Sequence, residues 1–530
     1  MFSKLPPQAD TKRKPLLVAC GLASLGLWLG FPNDLFSLPP LILAWPLALT
    51  VIGQSATSAR QAFLYGLLGN TLGMTLVLYW LALPIHAVGG LPWIFAALCA
   101  FGVIFCLAAF FALHSLFLFL AGNLPLWLTA LAGAFSWTLL ELICAPLTGF
   151  PWLPLAGALV QWPVCVQSAA YISQYGTTFF WLLATLCLFL SLARQDKPWL
   201  AITGIMLLGL HLALGWLCLY RSPLETSPQG STSMGVLFVE GNIDQNQKWR
   251  PSLQRATVEH YRRLTEQGLA SLPTSDTLVI WPETALPFFF ERKPLLQDFV
   301  RQTAREYHCP LLFGTPGYGS AAKADGIYNR AILLDTQGAT LGQYDKEHLV
   351  PFGEYTPAFL DFDFLKPLLQ GVGVYARGEN SVPLSYGAMA AGMLICYEGI
   401  FPWLAQNRVS QGANILIDIS NDGWFGQTPA LRQHLYLTCL RAIEQKRWIL
   451  RGTNTGISAV IDELGRIVVH GPEDQAGSWA ARARLQTQTT FLHRTWHLQL
   501  ALFAALCLLM LLVCRSFRKK SRQAENLPLL

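Results

Sequence analysis

The segment Thr277-Leu-Val-Ile-Trp281-Pro282-Glu283 decides how the second half of this chain is read. A near-continuous apolar run ends in a proline and then a carboxylate. An uninterrupted apolar strand implies a sheet covered on both faces. Similar runs recur at 233–239, 310–313, 331–334, 392–395, 414–419 and 457–461. Helix-compatible stretches stand between them at 251–270, 293–307 and 431–447. Strands alternating with helices predict an α/β domain, and α/β folds gather their chemistry just beyond strand ends.

Two more strand ends carry reactive residue types. One is Tyr344-Asp-Lys346-Glu-His348-Leu-Val-Pro-Phe-Gly-Glu354-Tyr355, the other Leu394-Ile-Cys396-Tyr397-Glu398. A cysteine needs a base to become a thiolate, and a cation or donor to hold the oxyanion of a tetrahedral intermediate. Glu283 is suited to the first role and Lys346 to the second. Each residue alone reads as structural; three of them at strand ends favour the chemical reading over the bland one. Of the 12 cysteines, only Cys309, Cys396 and Cys439 fall in this region, without CxxC spacing. An odd number leaves at least one thiol outside any internal disulfide there. No zinc-type cluster occurs, and nothing implies a metal or cofactor.

Working outward, the first half has a different composition. Only 13% of the 530 residues are charged, and residues 16–219 hold almost none of them. Ordinary soluble chains carry about 25%. A bilayer span needs about 20 mainly apolar residues. Candidates are 16–31, 39–53, 61–83, 92–121, 125–145, 164–192, 199–219 and 495–514, the first two being short. The first follows Lys12-Arg13-Lys14 but lacks a convincing small-residue cleavage site, so it reads as a retained helix. The expected division is a membrane domain at 1–220 with about seven spans, an extramembrane domain at 221–492, and a last span with a basic tail at 493–530.

The net charge of +6 does not point to nucleic acid, because the excess cations sit beside spans. Lys and Arg mark the N-terminus, the turns at Arg60 and at Arg194–Lys197, and the tail from Arg515 to Arg522. Loops near 84–91 and 146–163 contain neither. Positive turns face the cytoplasm, so both termini are expected inside and 221–492 outside, facing the periplasm in a bacterial inner membrane. Within spans, His86, His114 and His211 read as satisfied structural residues, and Glu141 as either headgroup recognition or simple snorkelling.

The three strand ends resemble the Glu-Lys-Cys triad of the nitrilase superfamily. Similarity extends through Ser420-Asn-Asp-Gly-Trp-Phe-Gly426, Gln433-His-Leu435, Arg441-Ala-Ile-Glu444 and Thr453-Asn-Thr-Gly456. With seven-plus-one helices, and Thr148-Gly-Phe-Pro-Trp152 before the sixth, the whole chain resembles the bacterial apolipoprotein N-acyltransferase family. It departs from that family at Glu240-Gly-Asn-Ile-Asp244 and at Arg447-Trp-Ile-Leu-Arg-Gly-Thr-Asn454, away from the triad.

The resemblance implies a polytopic α-helical membrane domain joined to a nitrilase-like αββα sandwich. It implies acyl transfer from a phospholipid donor, through a Cys396 thioester, to a diacylated apolipoprotein acceptor. Glu283 would be base and Lys346 oxyanion holder, with Glu354, Glu398 and Tyr397 supporting and Trp249, Asn454 and Phe362 binding substrate. A rival enzyme reading is a membrane-tethered amidase acting on a small amide; a rival of another class is a silent scaffold. The apolar runs Phe288–Phe290 and Phe359–Leu365 read either as a lid that dips into lipid or as ordinary core.

Overall fold

The computed structural model describes residues 13–525, apart from 88, 123, 195–196, 223, 225–232, 271, 273–276, 320–325, 352, 356–374 and 474. Two compact units emerge. One comprises the described residues up to Leu81, Ala97–Leu217 and Thr495 onward; the other comprises Ala82–Ala96 and Cys218–Arg494.

In the first unit, helices long and apolar enough to cross a membrane run over Ala59–Ala87, Trp93–Ala121, Leu126–Thr148, Ala169–Ala193, Pro198–Arg221 and Phe491–Arg518. The parts at 82–87, 93–96, 218–221 and 491–494 cluster with the second unit. Two shorter apolar helices, Lys14–Gly30 and Pro39–Ser55, occupy the positions of the first two expected spans. Among the described residues, six long helices and two short ones therefore stand where eight spans were expected.

Small residues let these helices approach closely, as expected where lipid supplies no hydrophobic drive between them. A Cβ added at Gly73 would lie 2.9 Å from Ser24 Cα, and Ser24 Oγ donates to the Gly69 carbonyl at 2.9 Å. Some buried polar side chains find partners within the bundle. His114 lies between Thr50 Oγ1 (3.0 Å) and Ser136 Oγ (2.8 Å). Glu141 is buried, and its Oε1 accepts from Trp137 Nε1 and from the Leu155 N–H, both at 2.9 Å. It is an internal acceptor holding the 150–155 turn, which neither reading of it anticipated.

The second unit contains two six-stranded sheets. The strands are β1 (Ser233–Glu240), β2 (Thr277–Ile280), β3 (Leu311–Tyr318), β4 (Ile327–Leu334), β5 (Thr340–Asp345) and β6 (Leu384–Tyr386). They continue with β7 (Met389–Ile395), β8 (Ile415–Ser420), β9 (Ile449–Thr453), β10 (Ala459–Ile461), β11 (Ile467–His470) and β12 (Gly477–Arg484). The orders are β12-β1-β2-β3-β4-β5 and β11-β10-β9-β8-β7-β6. In each, three neighbouring strands are parallel (β1-β2-β3 and β7-β8-β9) and the flanking ones antiparallel.

Side-chain alternation explains the unbroken apolar runs. Val236 and Phe238 of β1, with Leu278 and Ile280 of β2, join a core against Ile395, Ile417 and Leu450 of the other sheet. Their alternates Leu237, Val239, Val279 and Trp281 face a second core with Val258 and Tyr261 of helix Gln254–Leu269 and Val300 of helix Pro294–Glu306. Both faces of these strands are thus dry, which selects apolar residues at successive positions. Helix Pro402–Ser410 packs on β7, and helix Ala430–Gln445 packs on that helix. The layering is αββα.

The run Phe288–Phe290 is core: Phe288 and Phe290 are buried in the helix-side cluster, and Phe289 stacks on Tyr318 at 4.1 Å. That excludes the lid reading for this run. The other run, with Phe362, lies outside the described residues.

Candidate active site

Glu283, Lys346 and Cys396 follow the ends of β2, β5 and β7 respectively, and all three are buried. The Glu283 turn is tight, with Thr284 at φ +48°. Gly314 of β3 makes room for it, since a Cβ there would fall 2.7 Å from Glu283 Cα. Cys396 itself has φ +56°, a left-handed conformation that costs a non-glycine residue about 1–3 kcal/mol and clusters at functional sites. It opens the 3₁₀ turn Cys396–Ile400 directly after β7.

The carboxylates are organised around one lysine and one amide. Lys346 Nζ donates to Glu354, at 3.0 Å to Oε1 and 2.9 Å to Oε2, and lies 3.9 Å from Glu283 Oε1. Asn329 Nδ2, on β4, donates to Glu283 Oε1 at 2.6 Å and to Glu354 Oε1 at 3.0 Å. Glu354 also accepts from the Val350 N–H at 2.8 Å. Glu283 Oε2 has no hydrogen-bond partner among the described residues, which leaves it open to a proton.

The electrostatics follow from burial. Burial raises the Glu283 pKa above the ordinary carboxylate range, and the Lys346 charge only partly opposes it. For Lys346 burial works downward, but Glu354, Glu283 and Cys396 outweigh it and keep the ammonium charged. Burial and then Glu283 push the Cys396 thiol well above its usual value, with Lys346 acting the other way. A carboxylate and an ammonium charge thus act on Cys396 in opposite senses.

Glu398, fully buried, joins two of the strand ends. Its Oε1 accepts from the N–H groups of Glu347 (2.7 Å) and His348 (2.8 Å), and its Oε2 from the Ile395 N–H (2.8 Å). Tyr344 Oη donates to the same carboxylate, while Arg408 Nη2 donates to Tyr344 at 2.6 Å. The residues on either side of Lys346 and Cys396 are thereby fixed to one carboxylate. Tyr397 is buried in an aromatic group with His348 and Phe401.

A second buried network lies beneath Cys396. Arg451 pairs with Asp418 and, at 2.8 Å, with Asp422. His434 Nδ1 is 3.0 Å from Asp422 Oδ1 and its Nε2 is 3.3 Å from the Cys396 carbonyl. Burial would raise Asp422, but Arg451 and His434 hold it well below the usual range.

The expected substrate-binding residues separate. Trp249 is 42% exposed, on the surface of the unit. Asn454 is buried, and its side chain is taken by Ile243, Tyr261, Asn421 and Thr455; it pins the loop after β1. Phe362 lies outside the described residues. Sequence reasoning missed Asn329, Tyr344, Arg408 and Lys248. The fully buried Lys248 donates at 3.3 Å to the backbone carbonyl of Glu283 itself.

An αββα sandwich with this cluster, in a chain with six long apolar helices among its described residues, defines a polytopic membrane protein of the nitrilase superfamily. Sequence comparisons agree: the carbon-nitrogen hydrolase family pattern matches residues 256–490, and the apolipoprotein N-acyltransferase N-terminal domain pattern matches 23–187. Among similar proteins, apolipoprotein N-acyltransferase from Geobacter metallireducens is 32% identical over 93% of both chains. The Pseudomonas aeruginosa protein of the same name is also 32% identical, over 93% of this chain and 98% of its own. One from Nitrosomonas europaea is 31% identical over 85% of this chain and 87% of its own. The chain belongs to the apolipoprotein N-acyltransferase family.

Proposed function

We propose that this protein transfers one acyl chain from a phospholipid to the α-amine of the diacylglyceryl-cysteine at a lipoprotein N-terminus, through a thioester on Cys396. Glu283 takes the thiol proton, and Sγ attacks the ester carbonyl carbon. Lys346, with backbone N–H groups at the Cys396 turn, holds the oxyanion. The carbon–oxygen bond breaks, Glu283 returns its proton to the leaving alkoxide, and lysophospholipid departs. In the second half, the amine nitrogen attacks the thioester and gives its proton to Glu283. The carbon–sulfur bond breaks and the proton returns to Cys396. Glu354 and Glu398 act as positioning residues, one clamping Lys346 and the other joining the strand ends.

The observation that carries this reading is the buried Lys346, paired with Glu354 and 3.9 Å from Glu283, with its charge acting on Cys396. Splitting the transfer suits the chemistry, since a thioester is a better acyl donor to amines than an oxygen ester. Burial of all three residues supports it too, because water would hydrolyse the intermediate. In this reading 1–220 and 493–530 hold the protein in the bacterial inner membrane with both termini cytoplasmic, and 221–492 works on the outer face. The test supplies purified protein with phospholipid and a diacylated lipopeptide bearing a free N-terminal cysteine amine. The peptide should gain the mass of one acyl chain and lose its free amine. Release of free fatty acid with the amine untouched would make the protein a hydrolase instead.

A further inference from the structure

Two buried lysines, not one, flank Glu283. Lys346 is committed to Glu354 at 2.9 Å and stands a full ångström further from Glu283. With both carboxylates ionised, Lys346 alone would leave the cluster one negative charge in excess, in a place where uncompensated charge is costly. Lys248 supplies the missing positive charge. It ends the short helix Gln245–Lys248 after β1, is completely buried, and its ammonium makes its one side-chain hydrogen bond among the described residues to the Glu283 carbonyl. Its neighbour Trp249 is exposed. The loop is pinned by Asn454, on the Ile243 N–H and carbonyl, and by Asn421 Nδ2 on Gln245 Oε1 at 2.7 Å. A lysine driven inward on a pinned loop, onto the backbone of one carboxylate-bearing residue, is not a solvated surface cation.

We propose that Lys248 is a positioning residue of this site: its buried ammonium stands behind Glu283, fixes the turn through the backbone carbonyl, and supplies the charge that keeps the carboxylate ionised and ready to take the Cys396 proton. The proposal rests on the reading of Glu283 as the base. Burial lowers Lys248 to about 7 while the Glu283 charge pulls it back up, so each charge supports the other. The other ionisable groups acting on Glu283 are Lys346, Glu354, Cys396 and Tyr375. Lys346 and Asn329 also favour its ionised form, so the Lys248 contribution belongs at the low end for a nearby opposite charge, about one pH unit.

The test is the pH dependence of Cys396 alkylation by iodoacetamide on the full-length protein in detergent, read by peptide mass spectrometry at Cys396. Lys248→Gln, one bond shorter, retains an N–H donor but removes the charge. It should move the acid limb of the profile up by about one unit, and Lys248→Arg should bring it back to the parent position. A purely structural lysine would change stability without moving the limb. A Lys248→Gln limb superposable on the parent overturns the proposal while leaving Glu283 in place. If Glu283→Gln also leaves the limb unmoved, the base reading itself fails. Should Lys248→Gln not fold, the pair Lys248→Gln/Glu283→Gln, which removes both charges, is expected to fold; failure of the pair as well overturns the charge-compensation argument.

Discussion

Glu398→Gln is the sharpest structural perturbation of the site, because the amide matches the carboxylate in shape but not in hydrogen bonding. Glu398 accepts three backbone N–H groups: Glu347 and His348 at Oε1, and Ile395 at Oε2. Whichever oxygen becomes the amide nitrogen, at least one buried N–H then faces another donor. The less damaging orientation leaves the Ile395 N–H unpaired, since Tyr344 can turn its hydroxyl to accept. One unpaired buried N–H costs about 1–3 kcal/mol. A domain of this size loses about 2–4 °C of melting temperature for each kcal/mol. Ile395 directly precedes the strained Cys396, so the loss falls on the residue whose placement matters most. A misplacement of about 1 Å costs roughly 10²-fold in rate. We therefore expect Glu398→Gln to melt a few degrees lower in detergent and to form the Cys396 acyl adduct about 10²-fold more slowly. A variant with parental melting and parental acylation would refute the argument that this carboxylate ties the two strand ends together.

Further outcomes follow from the same geometry. Cys396→Ala should abolish the acyl adduct, while Cys309→Ala and Cys439→Ala, both buried, should retain it by mass spectrometry. Lys346→Met should slow acylation by about 10²–10³-fold, the scale of a lost oxyanion donor. Because burial raises Glu283 and only its ionised form accepts a proton, the rate should fall with falling pH through a limb above the usual carboxylate value of about 4.3, as a pH–rate profile of acylation would show. Reporter fusions near residue 230 should be active as periplasmic enzymes, and fusions after Arg522 as cytoplasmic ones.

The parts of the fold legible in the sequence were those whose both faces are dry. β1, β2, β7 and β8 read directly as apolar runs, and the three large helices of the second unit fall within a few residues of their expected ends. Most strands not anticipated are half-wet or short; β9, fully buried, escaped because Arg451 interrupts its apolar run. β12, Gly-Ser-Trp-Ala-Ala-Arg-Ala-Arg, pairs along the whole of β1 from the sheet edge, and its small and charged residues suit that exposure. β5 and β11 are likewise partly exposed, and their pattern carries little periodic signal. At the site, reactive types beside strand ends were visible in sequence, but their supports were not. Asn329 meets a carboxylate 46 residues away, and Arg408 meets a tyrosine 64 away. Arg408 sits in a helix where a charged residue ordinarily reads as solvated, and its bonds to the buried Tyr344, to Glu347 and to the Met393 carbonyl explain its burial. Lys248 was hidden for the same reason, one position before the tryptophan that drew attention.

The central claim is a covalent one, and the intact mass of the purified protein after incubation with phospholipid tests it most directly. The account predicts an increase equal to one acyl chain, located on the peptide containing Cys396, removed by neutral hydroxylamine and discharged when a diacylated lipopeptide with a free amine is added. An unchanged mass under conditions where the lipopeptide is nevertheless acylated, or an adduct that maps to any residue other than Cys396, would contradict it.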